Sequence, residues 1–427
     1  MRDHSNHIQV TRDQAIKAIL GACDFHPEVE TVPVEESYGR VLAADVTAQL
    51  DMPNTLTCLM DSVAVHYDDF QEGIPDTADW VRGREWQFAN TGIGMPEGFD
   101  TAIVVEHCVI SDDDQHVRFD AAPSRRYAGT KPAGSNMHTG DVLVPAGTKI
   151  TPLLAAHIAS GNNTQVQVVK KPRVAFLPTG NELVPVGAEV GRGKNIDSNS
   201  VLMRGKILAW GGQPVMYPIT PDDPEKLEAV LEDAAATCDI VVLNAGSSKG
   251  SDDYSLEILE RIGTVLYHQT NHGPGHHSSC SVLNGTPVIG ISGPSGGAAF
   301  TTDFYLKPAM QKFLGQTTDP VRVKARLAGG FPAGGPGGGH GPHSGAAGTS
   351  APKGESRPRE GGSFFGVKHV RLVLASDGVL EALPVKSGRP GPMEAETADA
   401  YYLMPSGPGI TPPQEGDFIE VTLRPQE

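Results

Sequence analysis

Cysteine is scarce in this chain of 427 residues: Cys23, Cys58, Cys108, Cys238 and Cys280 are scattered, and no Cys-x-x-Cys pair occurs. That spacing indicates neither a zinc ribbon nor a disulfide framework, and unpaired thiols suit a reducing cytoplasm. Basic charge is also short. Lys and Arg number 34 against 51 Asp and Glu, a formal net charge of -17. Phosphate backbones demand clustered cations, so a nucleic-acid partner is not expected. A small anionic ligand is still possible, because backbone N–H groups and one or two cations can hold it locally. No apolar run approaches the roughly 20 residues needed to span a bilayer. The stretch Met1 to Val10 is polar and lacks the apolar core of a secretory leader. A cytoplasmic protein without a membrane partner is therefore expected.

What is plentiful is glycine and proline, 50 and 34 residues. They punctuate a chain too long for one core, so two to four domains are expected. Thr11 with Gln14 three residues on makes a capping box, and Ala15, Ile16, Ile19 and Leu20 give the helix behind it an apolar face. From about Val32 to Lys171 the chain reads as mostly β, with strands over Arg40–Val46, Trp86–Ala89, Thr101–Val109 and Val142–Val144. The pattern changes at Pro172. Strands at Arg173–Leu177, Gln213–Ile219, Ile240–Leu243 and Thr264–Thr270 then alternate with helices ending near Trp210, Thr237 and Ile262. Such alternation predicts a mostly parallel, doubly wound sheet. Asn284-Gly285 between apolar runs predicts a tight hairpin, and a last helix is expected over Ala298–Phe313. Gly329–Gly362 holds 13 of the 50 glycines. It is too poor in apolar side chains to offset its ordering entropy, so a disordered insertion is expected. Strands at Val321–Leu327, Phe364–Leu374, Val379–Leu383, Ala400–Met404 and Asp417–Leu423 flank it as a small β domain.

Ligands bind an open α/β sheet outside the carboxyl ends of its strands. Three loops occupy that position here. Pro178-Thr179-Gly180-Asn181-Glu182 follows the first strand. Asn244-Ala245-Gly246-Ser247-Ser248-Lys249-Gly250 follows the third, and Thr270–His277 follows the strand ending at Gln269. The Gly246–Gly250 loop has glycines for close approach, hydroxyls, the Lys249 charge and a following helix, all suited to phosphate. The alternative is an ordinary turn of small residues. Asp252 and Asp253 either complement the next helix dipole or hold Mg²⁺ together with phosphate oxygens. Ser198, Asn199 and Ser200 offer three caps where one suffices, which leaves polar groups for a ligand. His268, His272, His276 and His277 are spaced by about one helical turn. Gly273-Pro274-Gly275 forbids a helix there, so one histidine on an anion is a better reading than a metal site.

Taken together these segments resemble the molybdopterin molybdenumtransferases, the family that includes MoeA and the gephyrin E domain. Glu36–Val46 is similar to the family's opening signature, and Met60-Asp61 falls where it has Met-Asp-Gly-Tyr-Ala. Thr91-Gly92 matches its Thr-Gly-Ala loop, and Gly140–Leu143 through Thr151-Pro152 its return to the central domain. Thr179–Leu183 is similar to Thr-Gly-Asp-Glu-Leu, Asp197-Ser198-Asn199-Ser200 is intact, and Asp253-Tyr254 closes the Gly/Ser loop. Each motif is weak alone, but their common order over nearly the whole chain is specific.

The resemblance implies an α/β multidomain fold. A linking domain would comprise residues 1–50 and 140–171, and a β-rich domain 51–139. A doubly wound molybdopterin-binding-type sheet would span 172–316, and a C-terminal β-barrel with its insertion 317–427. It implies a dimer that inserts molybdate into adenylylated molybdopterin, with Mg²⁺ and with release of AMP. Asp61, Glu182 and Asp253 are then the catalytic and metal-engaging acids. Thr91, Gly180, Ser198, Asn199, Ser200, Gly246, Ser248, Lys249, Gly275 and His276 would hold substrate.

This chain departs from the family in four places. Ser62-Val63 replaces Gly-Tyr, and Ser135-Asn136 replaces Glu-Asp. Gly273-Pro274-Gly275-His276-His277 replaces Lys-Pro-Gly-Lys-Pro, and Ile291–Ser295 replaces Leu-Pro-Gly-Asn-Pro. Charge-assisted bonds are worth roughly 1.5–3 kcal/mol each, so losing two lysines matters, and Lys249 and His276 are the groups placed to compensate. The departures leave a second reading open: a paralogue that binds molybdopterin or finished cofactor for storage or delivery, or that partners an active homologue, without turnover.

Overall fold

The computed structural model describes residues 9–245, 254–331, 364–385, 397–407 and 410–424. The glycine-rich stretch and the Gly246–Asp253 turn, both singled out above, fall outside the described residues apart from Gly329–Phe331. The chain divides into two compact units, residues 28–170 and residues 1–27 with 171–427.

In the unit 28–170, Val29–Pro33 pairs antiparallel with Gln165–Val169, and the helix Pro152–Ser160 packs beside them. Thr151 caps that helix through its hydroxyl, with Pro152 at the first helical position. Val34, Leu42, Val144, Ile158 and Val168 form the core there. A second core gathers on a three-stranded antiparallel sheet, in which Ser62–Val65 lies between Trp86–Ala89 and Thr101–Val104. Val63, Val65, Trp86, Ile103 and Phe119 fill it. Two expected strands are shorter than read. Arg40–Val46 contributes only the bridges of Val41 and Leu42 before Val46–Thr47, and Thr101–Val109 is broken by a 3₁₀ turn at Val105–His107.

The other unit begins with α1 (Arg12–Ala22), whose Thr11–Gln14 capping box forms as expected. Placed by sequence in the linking domain, α1 instead buries Ala15 and Ile19 in the core of the α/β sheet, with Phe176, Ile289 and Tyr305. Its apolar face needed a partner surface, which periodicity cannot identify. The sheet comprises β1 (Arg173–Pro178), β2 (Gln213–Met216), β3 (Ile240–Ala245), β4 (Thr264–His268), β5 (Ser279–Leu283) and β6 (Thr286–Ser292). Its order is β2-β1-β3-β6-β5-β4. β2, β1, β3 and β6 run parallel, but β5 is antiparallel to both neighbours, so a meander replaces one flank of the doubly wound pattern. The Asn284-Gly285 turn causes this: both residues take positive φ, 51° and 88°, and such a two-residue turn returns the chain antiparallel.

The sheet is covered by α2 (Asn199–Ala209), α3 (Pro224–Thr237), α4 (Ser255–Ile262) and a continuous helical stretch. That stretch is α5 (Ser295–Thr301), a π turn at Thr302–Leu306, and α6 (Lys307–Phe313). β7 (Arg322–Leu327), β8 (Phe364–Leu374), β9 (Leu380–Pro384), β10 (Ala400–Ser406) and β11 (Phe418–Leu423) follow. They pair in the order β8-β9-β7-β11-β10, and β8 pairs again with β10 to close a barrel around Ala325, Val370, Ala382, Ala400 and Val421. One short strand from the α/β domain, His272–Gly273, joins the outside of β8 in parallel. No helix among the described residues is long and apolar enough to cross a membrane.

Candidate functional site

β1, β3 and β6 lie side by side and parallel, and their carboxyl ends bring three polar segments together. Pro178 pairs with Asn244, Asn244 with Ile291, and Ala245 with Ser292. The Thr179 hydroxyl donates to the Asn244 carbonyl at 2.8 Å. Asn199, at the start of α2, reaches across: its Nδ2 donates to Asn244 Oδ1 at 3.1 Å and to the Gly293 carbonyl at 2.8 Å. Asn199 is only 5% exposed, and its Oδ1 is buried with no hydrogen-bond partner among the described residues. A buried acceptor left unpaired costs about 1–3 kcal/mol, so the strand ends hold a group suited to a donor from a ligand.

The three expected caps of α2 resolve differently from the sequence reading. Ser198 already has helical dihedrals and makes no capping bond. Asp197 does the capping, accepting the Ser200 N–H at 3.0 Å on Oδ1 and the Ser200 hydroxyl on Oδ2. Asp197 holds Ser200 by this bond, while Asn199 turns inward. In the loop after β1, Gly180 takes φ +137°. A Cβ there would collide with the Glu182 carboxylate, which folds back over it. Asn181 and Asp222 clasp each other through backbone N–H groups, at 2.9 and 3.3 Å. The Glu182 carboxylate itself is exposed and has no hydrogen-bond or ion-pair partner among the described residues.

The third loop is anchored from several sides. Arg12 donates its N–H to Asn271 Oδ1 at 2.9 Å, and Thr270 donates its own to the His276 carbonyl at 2.9 Å. Gly275 takes φ +98° against the start of the last helix. The His276 and His277 rings lie close and tilted, with centroids 3.7 Å apart and planes at 42°. His268 and His272 are buried. Burial holds the His272 imidazole down to about 4, so it is neutral near pH 7. No group of three or more His, Cys, Asp or Glu is disposed to hold a metal ion among the described residues. The sequence reading named His272 only as one of four loop histidines, and it missed Asn244 as a side-chain partner. A polar residue ending the apolar run Ile240–Leu243 was the available signal for Asn244.

In the unit 28–170, Asp61 and Thr91 meet across adjacent strand ends. Thr91 donates its N–H and its hydroxyl to Asp61 Oδ1 at 2.9 and 3.0 Å. The backbone bond first, then the hydroxyl, hold the Asp61 carboxyl below the usual carboxylate range. Its Oδ2 has no hydrogen-bond partner among the described residues. At the substituted Ser135-Asn136, Lys131 donates to Asn136 Oδ1. Gly246, Ser248, Lys249 and Asp253 lie outside the described residues.

With that geometry in place, comparison with known proteins is specific. The family described as MoeA N-terminal region (domain I and II) matches residues 10–161, and the probable molybdopterin binding domain matches residues 175–312. A Staphylococcus epidermidis protein named molybdopterin molybdenumtransferase is 27% identical over 334 residues, 74% of this chain and 78% of its own length. A Haemophilus influenzae protein of the same name is 25% identical over 319 residues, 72% and 78% of the two chains. The crystal structure of the molybdopterin biosynthesis MoeA protein of Pyrococcus horikoshii OT3 has the same fold, with TM-score 0.70 at 21% identity over 97% of this chain and 100% of that one.

Proposed function

The chain belongs to the molybdopterin molybdenumtransferase family of molybdenum cofactor biosynthesis, and from that premise we propose that it inserts molybdate into adenylylated molybdopterin and releases AMP. The observation that carries this reading is the strand-end network of Thr179, Asn199 and Asn244, with an acceptor at its centre that has no partner among the described residues. A pterin ring edge or a bound water supplies donors of the kind that acceptor lacks. In this reading Gly180, Ser198 and Ser200 shape the same strand-end loops, while Thr91, Gly275 and His276 contact substrate. Gly246, Ser248 and Lys249 belong to the substrate set on the family motif alone.

Asp61, Glu182 and Asp253 are the acids we assign to the chemistry. Their donor chemistry suits Mg²⁺, which takes oxygen ligands and is usually held by one or two carboxylates plus substrate phosphate oxygens. Glu182 and the second oxygen of Asp61, neither with a partner among the described residues, are donors of that kind. When bound, Mg²⁺ would neutralise developing phosphate charge. The carboxylates themselves orient water and exclude competing anions. Thr91 keeps Asp61 ionised by donating two hydrogen bonds to one oxygen, leaving the other for a ligand. We further assign the protein to the cytoplasm as a homodimer; its five cysteines are all free, as a reducing compartment favours.

Purified protein with adenylylated molybdopterin, Mg²⁺ and molybdate is expected to release AMP, and Asp61→Ala is expected to reduce the rate by about 10²–10³-fold, the size of one lost transition-state contact. Pterin that binds tightly without Mg²⁺ and yields no AMP would instead establish the storage or delivery reading. His276 and His277, standing where the family has a lysine and a proline, are the observation that favours that second reading.

A further inference from the structure

The loop 270–278 carries Gly275 and His276, and one face of the last helix runs along it. Gly297, Thr301 and Tyr305 recur every four residues on that face. A Cβ added to Gly275 would lie 2.7 Å from Thr301 Cγ2 and 3.2 Å from the Gly297 carbonyl. Thr301 returns its hydroxyl to the carbonyls of Gly297 and Ala298, at 2.9 and 3.1 Å, which presents its methyl to the loop. Two small residues thus let the loop backbone close onto the helix.

Tyr305 completes the contact. Its hydroxyl lies 2.7 Å from His272 Nε2, and His272 Nδ1 lies 3.1 Å from the Pro274 carbonyl. A carbonyl only accepts, so Nδ1 carries the ring hydrogen, and Nε2 accepts from the tyrosine. The hydroxyls of Thr270 and Ser278, at the two ends of the loop, lie 3.2 Å apart, and both offset part of the rise that burial imposes on the Tyr305 phenol. One phenol therefore reaches the tip through His272, while the Thr270–Ser278 contact joins the stems. The π turn at Thr302–Leu306 widens the helix at this point. It sets Phe304 edge-on to the imidazole at 5.1 Å while Tyr305 meets it at 5.9 Å between centroids. Single π turns of this kind are frequent at functional sites.

We propose that Tyr305 and His272 are positioning residues, and that the π turn aims Tyr305 so that the segment Gly275–His277 is held ready for its anionic ligand. The proposal rests on the reading that this segment contacts substrate. Burial keeps His272 neutral, so its acceptor nitrogen persists at working pH. Arg12 and His276, the charged or titratable neighbours, hold it in the same direction.

Tyr305→Phe in the full chain removes one oxygen and keeps the ring, so the core stays filled. Hydrogen exchange of the amides in 270–278 is expected to speed up about tenfold, the size of one lost hydrogen bond, with β3 and β6 unchanged. KM for adenylylated molybdopterin is expected to rise about tenfold with kcat within about twofold, the signature of lost uniform binding. His272→Gln, which keeps an acceptor for the tyrosine, is expected to restore part of the protection that His272→Ala loses. Unchanged exchange in 270–278 overturns the proposal, and so does an increase spread evenly over the domain, which marks a general core role. If the wild-type protein neither binds nor converts the pterin, the functional reading fails, and the exchange measurement alone then decides whether Tyr305 orders the loop.

Discussion

Asp61 and Asn199 are both polar groups on candidate substrate loops, yet they are held in opposite ways. Asp61 stays at the surface, and its only side-chain anchors among the described residues are the backbone and hydroxyl of Thr91. Asn199 is buried and spans the sheet to Asn244 and Gly293, 45 and 94 residues away in sequence. Around it the same design repeats. Lys206 pairs with Asp303, 97 residues on, with both side chains nearly inaccessible, and His272 pairs with Tyr305. The surface acid can be re-tuned one hydrogen bond at a time. The strand-end network links function to stability, because each buried polar group depends on a distant partner.

Substitution of Lys206 should separate the two designs most sharply. Lys206→Met leaves Asp303 buried without its cation, and a loss of about 3–5 kcal/mol in unfolding free energy is expected, read by denaturant titration. Arg126→Met, which opens the exposed pairs with Asp68 and Asp100 in the other unit, should move the midpoint far less. Equal losses from the two variants would erase the distinction.

Acid should act next most strongly, and on the buried network. His272 binds its proton near pH 6.5 when unfolded and only near about 4 when folded. The unfolded chain therefore holds the extra proton between those values. Stability is full above pH 6.5, falls as the pH drops toward 4, and levels off below, a loss of about 3 kcal/mol from this group. His272→Gln should flatten that part of the stability profile. A wild-type profile that matches the variant between pH 6.5 and 4 would remove His272 from the account.

The smallest change is expected at the surface. Thr91→Val keeps the N–H bond to Asp61 and removes the hydroxyl bond. The Asp61 carboxyl should then rise toward its ordinary range, and the acid limb of the AMP-release profile should move to higher pH. Unfolding should be unaffected. A variant that unfolds early instead would show that the Asp61 turn is built like the strand ends after all.

Much of this architecture was legible in the residues. The Thr11–Gln14 box and the Asn284-Gly285 turn each formed where the sequence placed them. Their partners lie within four residues, so the local chain suffices. The allegiance of α1, the capping by Asp197 rather than Ser198 and the π turn at Thr302–Leu306 were not legible. Each depends on a surface supplied from elsewhere. The candidate site divides the same way: the motifs named Asp61, Glu182 and Asn199, but nothing local marked His272 and Tyr305 as a pair, since their spacing suits no single element.

The sequence by itself determined which segments become helix, strand or turn and which family the motifs belong to, because those signals are carried by neighbours along the chain. The tertiary structure alone decided which polar groups are buried, which nitrogen of His272 carries the hydrogen, and which acceptor is left for a ligand. Those outcomes depend on partners tens to hundreds of residues apart, and only the folded sheet and helices bring them within hydrogen-bond distance.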